Sequence, residues 1–109
     1  MHLQHIVAAA DDSEAGRAAI LAAAHLASRC HARVTVLTVA SATASRVASR
    51  LQEDGVREAA NRVLRTFTVP PALTIDSTVG LPGIEIGHYA ETHGADLIVV
   101  GRKRRSGLH

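Results

Sequence analysis

Residues 72–101, ALTIDSTVGLPGIEIGHYAETHGADLIVVG, carry the pattern that decides the fold. Leu73, Ile75 and Val79 fall on one side of an extended segment over residues 72–79, as in a strand with one face less deeply covered. Gly80-Leu81-Pro82 turns the chain, and Pro82 near the first helical position gives up only an N–H that a helix start leaves unpaired. Ile86, Tyr89, Ala90 and His93 then recur at helical spacing until Gly94 closes the helix. Residues 96–100 (DLIVV) form a short apolar strand ending at Gly101. Strand, helix and strand in this order predict parallel strands of one sheet linked by a crossover helix.

The same alternation extends toward the N-terminus. Residues 4–10 (QHIVAAA) are a buried strand ending at the polar break Asp11-Asp12-Ser13, which suits a helix cap. Ala15, Ala18, Ala19, Ala22, Leu26 and Ala27 set the apolar stripe of a helix running to Cys30. His31 stands where glycine would usually end a helix, and histidine tolerates the left-handed conformation better than most residues. Residues 33–39 (RVTVLTV) are β-branched and too short for a helix, so they make a second buried strand. After the small-residue loop 40–45, a charged helix spans about Arg46 to Phe67. Its stripe is Val47, Leu51, Val56, Ala60, Val63 and Phe67, and Gly55 weakens its centre. Arg50 with Asp54, Glu53 with Arg57 and Glu58 with Arg62 are exposed i,i+4 pairs. Pro70-Pro71 ends the segment.

The order β-α-β-α-β-α-β, with continuous rather than alternating apolar strands, predicts an α/β fold: a doubly wound parallel sheet covered by helices on both faces. In such sheets ligands bind beyond the strand carboxyl ends where strand order reverses, which directs attention to Ala9–Ser13, Val39–Ala40 and Gly101–Gly107.

The 109 residues, at 47% hydrophobic and 20% charged, make one globular domain, 1–109, and exclude the signature of disorder. Phe67 and Tyr89 are the only aromatics, so base-stacking surfaces for nucleic acid are not expected. Cys30 has no disulfide or metal partner among cysteines, which favours a reducing compartment, the cytoplasm. Neither a signal peptide nor a membrane-spanning helix is expected. The net charge of +2 is local: Arg102, Lys103, Arg104 and Arg105 hold four of the twelve basic residues, as a charged loop at a strand end rather than a nucleic-acid site. The seven histidines lack ligand spacing, so no metal site is expected.

The opening HIVAAADDSEAG, the strand VTVLTV and the segment VGLPGIEIGHYAETHGADLIVVGRKRRSGL resemble the universal stress protein family across essentially the whole chain. Residues 95–101 (ADLIVVG) and Arg105-Ser106-Gly107-Leu108 are the most specific parts. The resemblance implies a Rossmann-like domain, akin to the adenine nucleotide alpha hydrolases, commonly a homodimer. Its nucleotide-binding members hold ATP, and AMP is the smaller alternative here. By that resemblance Asp11 meets the ribose, and backbone near Ala9, Ala10 and Val39 flanks adenine. Phosphates would lie on a loop of pattern G-x2-G-x9-G-[ST], whose bare N–H groups form an anion site. Gly101 matches its first glycine, and Ser106 and Gly107 belong to the same loop. Arg104 stands where the second glycine belongs, and the third would be residue 114, past His109. An arginine can pair with phosphate, but charge does not replace backbone donors that need close approach. Family domains normally carry one more strand and helix after this loop, so the last strand and helix of the fold are expected to be missing from this chain.

No base, nucleophile or metal cluster is apparent, so the expectation is a non-catalytic stress-response protein with weak or no ATPase activity. A nucleotide-independent dimerising interaction module is the alternative. A phosphoacceptor receiver domain also places paired acids such as Asp11-Asp12 after its first strand, but here Asp76 lies inside the third strand rather than beyond it. Adenylating synthetases and pyrophosphatases need His-x-Gly-His or Ser-Gly-Gly near the first helix, and residues 9–16 (AADDSEAG) contain neither. A dinucleotide dehydrogenase needs glycine in its first turn, and none lies between Ile6 and Ala15. Helix capping alone explains any one of Asp11, Asp12 and Ser13.

Overall fold

A computed structural model describes residues 2–101. The elements are β1 (His5–Ala9), α1 (Glu14–Cys30), β2 (Arg33–Ala40), α2 (Arg46–Leu64), β3 (Leu73–Val79), α3 (Pro82–Thr92) and β4 (Leu97–Val100). The four strands form one parallel sheet in the order β3-β2-β1-β4. The chain builds outward from β1 through β2 to β3, then crosses back to place β4 on the other side of β1. Strand order therefore reverses at β1, and each strand lies within a residue of its expected bounds.

The main core fills the space between the sheet and the helix pair α1 and α2. Ile6, Ala8, Val34 and Val36 from the sheet meet Ile20, Ala23 and Ala24 of α1 and Val56 and Ala60 of α2. Alanines at the helix–sheet contact let α1 approach closely, since close packing there requires small side chains. On the opposite sheet face a smaller cluster joins Val7 and Leu37 to Tyr89 of α3, with Val39, Ile86 and Ala95 against it. One helix does not cover this whole face, and Ile98 and Val100 of β4 remain 39% and 57% exposed.

Two apolar stripes differ from expectation. In α1 the packed residues include Gly16, Ala19, Ile20, Ala23, Ala24 and Ala27, whereas Ala18 and Ala22 are exposed. Alanines occur all around this helix, so several stripes fit its sequence; the bulkiest side chain pointing inward, Ile20, fixes the rotation. In α2 the apolar contact begins at Val56, and Val47 and Leu51 lie exposed on the first two turns. That helix ends at Leu64, and a tighter turn follows in which Thr66 and Phe67 N–H groups donate to Val63 and Leu64 carbonyls. Of the three anticipated charge pairs, Glu58–Arg62 forms at 3.0 Å and is the only ion pair among the described residues. Solvated long side chains gain little from pairing, so the sequence pattern does not dictate contact.

The cap expected at Asp11-Asp12-Ser13 forms at Ser13, and Ser45 caps α2 in the same way. The Ser13 and Ser45 hydroxyls accept from Gly16 and Ala48 N–H groups, and His31 adopts φ 56°, the left-handed end expected for α1. The buried His5 ring links the strand amino ends: Nδ1 lies 3.1 Å from the His93 carbonyl, and Nε2 lies 2.8 Å from the Thr35 hydroxyl. Because a carbonyl only accepts, Nδ1 carries the proton, and in that tautomer Nε2 accepts from Thr35. Among the described residues no helix is long and apolar enough to cross a membrane.

Candidate functional site

At the carboxyl end of β1 the ladder to β2 finishes with Ala10 N–H donating to the Leu37 carbonyl at 2.9 Å. The chain then folds over itself. Asp11 Oδ1 accepts from the Ser13 N–H at 2.9 Å and from the Ser13 hydroxyl, and Ser13 in turn caps α1. Asp11 thus orders the loop that starts the helix, while its Oδ2 has no hydrogen-bond partner among the described residues. The Arg17 guanidinium donates to the Asp12 carbonyl at 2.9 Å and fixes the same loop from outside.

Three glycines allow this loop to be so tight. A Cβ on Gly16 would lie 2.2 Å from the Asp11 carbonyl oxygen, and one on Gly101 would lie 2.0 Å from the Ala15 carbonyl oxygen. The end of β4 therefore rests directly on the first turn of α1. Gly55, in the middle of α2, is also tightly placed: a Cβ there would come within 2.7 Å of Asp12 Cβ. The residue that weakens α2 as a helix is the one that admits the β1–α1 loop against it.

A cleft of about 200 Å³ opens where strand order reverses. Ala9, Ala10 and Asp11 form one wall; Leu37 and Val39 of β2, with Gln52 of α2, form a second; Val100 and Gly101 close it from β4, with Pro82 and Ile86 of α3 along its flank. The volume is below the roughly 300–1,000 Å³ of sites that enclose drug-sized ligands. The walls are mainly apolar, with polar groups at the Asp11 and Gln52 ends.

The structure thus brings together Ala9, Ala10, Asp11, Val39 and Gly101, which the sequence singles out. Arg104, Ser106 and Gly107 lie outside the described residues. The sequence reading missed Gln52. The Gln52 side-chain amide donates to the Thr38 hydroxyl at 2.7 Å and to the Val39 carbonyl at 3.2 Å, which ties α2 to the end of β2. Its signal was a polar residue in line with Val56, Ala59 and Val63 on the inward face of α2. Asp76 lies within β3 opposite Leu37, away from the cleft. Among the described residues no three His, Cys, Asp or Glu side chains stand close enough to share a metal ion.

The universal stress protein family model matches residues 2–109. The chain belongs to the universal stress protein family. Solved structures agree in fold. Universal stress protein UspA from Lactobacillus plantarum is 27% identical with a TM-score of 0.78, the alignment covering 100% of this chain and 83% of that one. A protein from Mycobacterium tuberculosis H37Rv superposes with a TM-score of 0.76 at 20% identity, over 99% of this chain and 78% of its own. A universal stress protein solved in complex with cAMP superposes at 0.73 and 24% identity, over 92% of this chain and 77% of its own. No curated protein sequence matches the chain significantly. As a universal stress protein, the chain has the α/β architecture with a parallel sheet flanked by helices that its strand pattern predicts.

Proposed function

We propose that this universal stress protein is a non-catalytic cytoplasmic module that holds the adenosine part of AMP or ATP in the cleft at the carboxyl ends of β1, β2 and β4. The observation that carries this reading is the convergence of Ala9, Ala10, Asp11, Val39 and Gly101 on one cleft at the reversal of strand order. Asp11 Oδ2 is the acceptor for a ribose hydroxyl, and apolar walls from Ala9, Leu37 and Ile86 enclose the base. The structural likeness to a universal stress protein complexed with cAMP supports an adenine ligand.

Phosphates add little to this binding. Arg104 replaces the glycine at which backbone donors would approach a phosphate, and each lost charge-assisted bond is worth about 1.5–3 kcal/mol, a tenfold or larger loss of affinity. Adenosine and AMP should then bind about as well as Mg-ATP in calorimetry. Low-micromolar ATP with much weaker adenosine would show instead that the basic run Arg102–Arg105 grips phosphate. If Asp11→Ala leaves adenosine binding unchanged in an NMR titration, the ribose role of Asp11 is wrong.

Self-association through β4 is a second element of the proposal. Among the described strands β4 pairs only with β1, and Leu97–Val100 carry no proline or charge that would discourage pairing with another chain. Homodimer formation along this strand follows, by an isologous contact about a two-fold axis.

A further inference from the structure

Gln52 lines the cleft, and its side-chain amide keeps an acceptor but no free donor. An amide NH2 group has two protons, and those of Gln52 go to the Thr38 hydroxyl and the Val39 carbonyl. The assignment of nitrogen and oxygen is fixed by chemistry, because a backbone carbonyl cannot donate. Oε1 is therefore the remaining polar atom of the side chain, and no group among the described residues donates to it. The residue lines the cleft on the β2 side, with Asp11 on the β1 side.

The anchoring also explains why this oxygen holds its direction. Val39 follows the last β1–β2 pair, Ala9 with Leu37, so its carbonyl lies beyond the end of β1, where Gln52 takes it. A glutamine pinned by two bonds at its nitrogen does not rotate to present a donor unless both bonds break.

We infer that Gln52 Oε1 is the specificity-determining acceptor of the site, reading an exocyclic amino group on the ligand's base and rejecting a keto oxygen at that position. This rests on the adenosine reading of the cleft and adds to it the residue that selects the base, favouring adenine over hypoxanthine and guanine. The amino group is the relevant donor because the ribose hydroxyls are assigned to Asp11 on the other side of the cleft. A site built to accept from a ligand N–H discriminates strongly against an analogue that lacks it, since a keto oxygen would face Oε1 with no proton between them.

The test is an NMR titration of the full chain with adenosine and with inosine, for the wild type and for the near-isosteric Gln52→Met. The wild type should bind adenosine at least about tenfold more tightly than inosine, and the Gln52 side-chain amide signals should shift with adenosine and not with inosine. In Gln52→Met the ratio should collapse toward one, mainly through weaker adenosine binding. Equal affinities in the wild type, or a ratio that survives in Gln52→Met, would overturn the role of Gln52 while leaving the nucleoside site intact. Binding of neither nucleoside at millimolar concentration would overturn the site and the inference together. Should Gln52→Met fail to fold, the wild-type ratio and the Gln52 amide signals decide alone: unmoved signals on adenosine binding reject the proposal.

Discussion

The Tyr89 hydroxyl donates to Asp76 Oδ2 at 2.8 Å, tying α3 to β3, an outer strand of the sheet. Tyr89 is one of three residues in the small core on that face, and its ring stacks on His93 with centroids 3.8 Å apart. The bond thus orients the one helix among the described residues that covers this side.

Burial, and next the hydrogen bond to the Asp76 carboxylate, push the Tyr89 phenol up to about 12. An unfolded tyrosine ionises near pH 10, so the folded state keeps a proton that the unfolded state has lost. The stabilisation is complete below pH 10 and is lost as pH rises from about 10 to about 12. Tyr89→Phe should lower stability at pH 7 by about 0.5–1.5 kcal/mol and reduce the alkaline loss over that window. Urea midpoints from pH 8 upward provide the check, and parallel curves for both proteins would contradict the assignment.

Asp96 contributes to acid behaviour through two backbone hydrogen bonds. Its Oδ2 accepts from the Gln4 N–H at 2.9 Å and the His5 N–H at 3.0 Å, and these bonds, Gln4 first, hold the carboxyl below its ordinary range. The sign is opposite to that of Tyr89: the contribution is present above the unfolded carboxylate pKa and disappears as pH falls through the lower folded value. Asp96→Asn should be less stable than wild type at neutral pH and lose less on acidification below about pH 4. An unchanged acid limb would show that other carboxylates govern it.

Much of this fold is legible in the sequence because burial and turn chemistry repeat a local pattern. Apolar strands, the cap at Ser13, Pro82 at the start of α3 and left-handed His31 all act within a few residues of themselves. The cleft residues Ala9, Ala10, Asp11, Val39 and Gly101 are recoverable because strand ends converge at the reversal of strand order. The rotation of α1 was not legible, since alanine on every side leaves no contrast until Ile20 meets the sheet. Nor was Gln52, whose role arises from partners at Thr38 and Val39 on another element. The packing roles of Gly55 and Gly101 likewise depend on neighbours distant in sequence.

Gly101→Ala tests the contact between β4 and α1. The new Cβ would be 2.0 Å from the Ala15 carbonyl oxygen and 3.0 Å from the Gly16 nitrogen, both backbone atoms that no rotamer change can move. A loss of at least about 2 kcal/mol is expected, or about 10 °C in Tm for a domain of this size. Calorimetric melting checks it; an unchanged Tm would show that β4 and α1 separate freely.

Val99 and Val100 separate folding from association. Val99 packs against the main core, whereas Val100 is 57% exposed. Val99→Lys should destabilise the domain, and Val100→Lys should leave it folded while weakening self-association. Sedimentation at several concentrations, with circular dichroism, distinguishes the two. A wild-type monomer at tens of micromolar would sink the dimer proposal.

Gly55 sets a limit on engineering. Replacing a mid-helix glycine by alanine is a standard route to a more stable protein, worth about 1 kcal/mol where space allows. Here the added methyl carbon would press within 2.7 Å of Asp12 Cβ, beside the turn that carries Asp11. A thermostabilising screen that selected only for a rigid α2 would push against this loop, so resistance to heat and the shape of the Asp11 turn compete for the space of one methyl group.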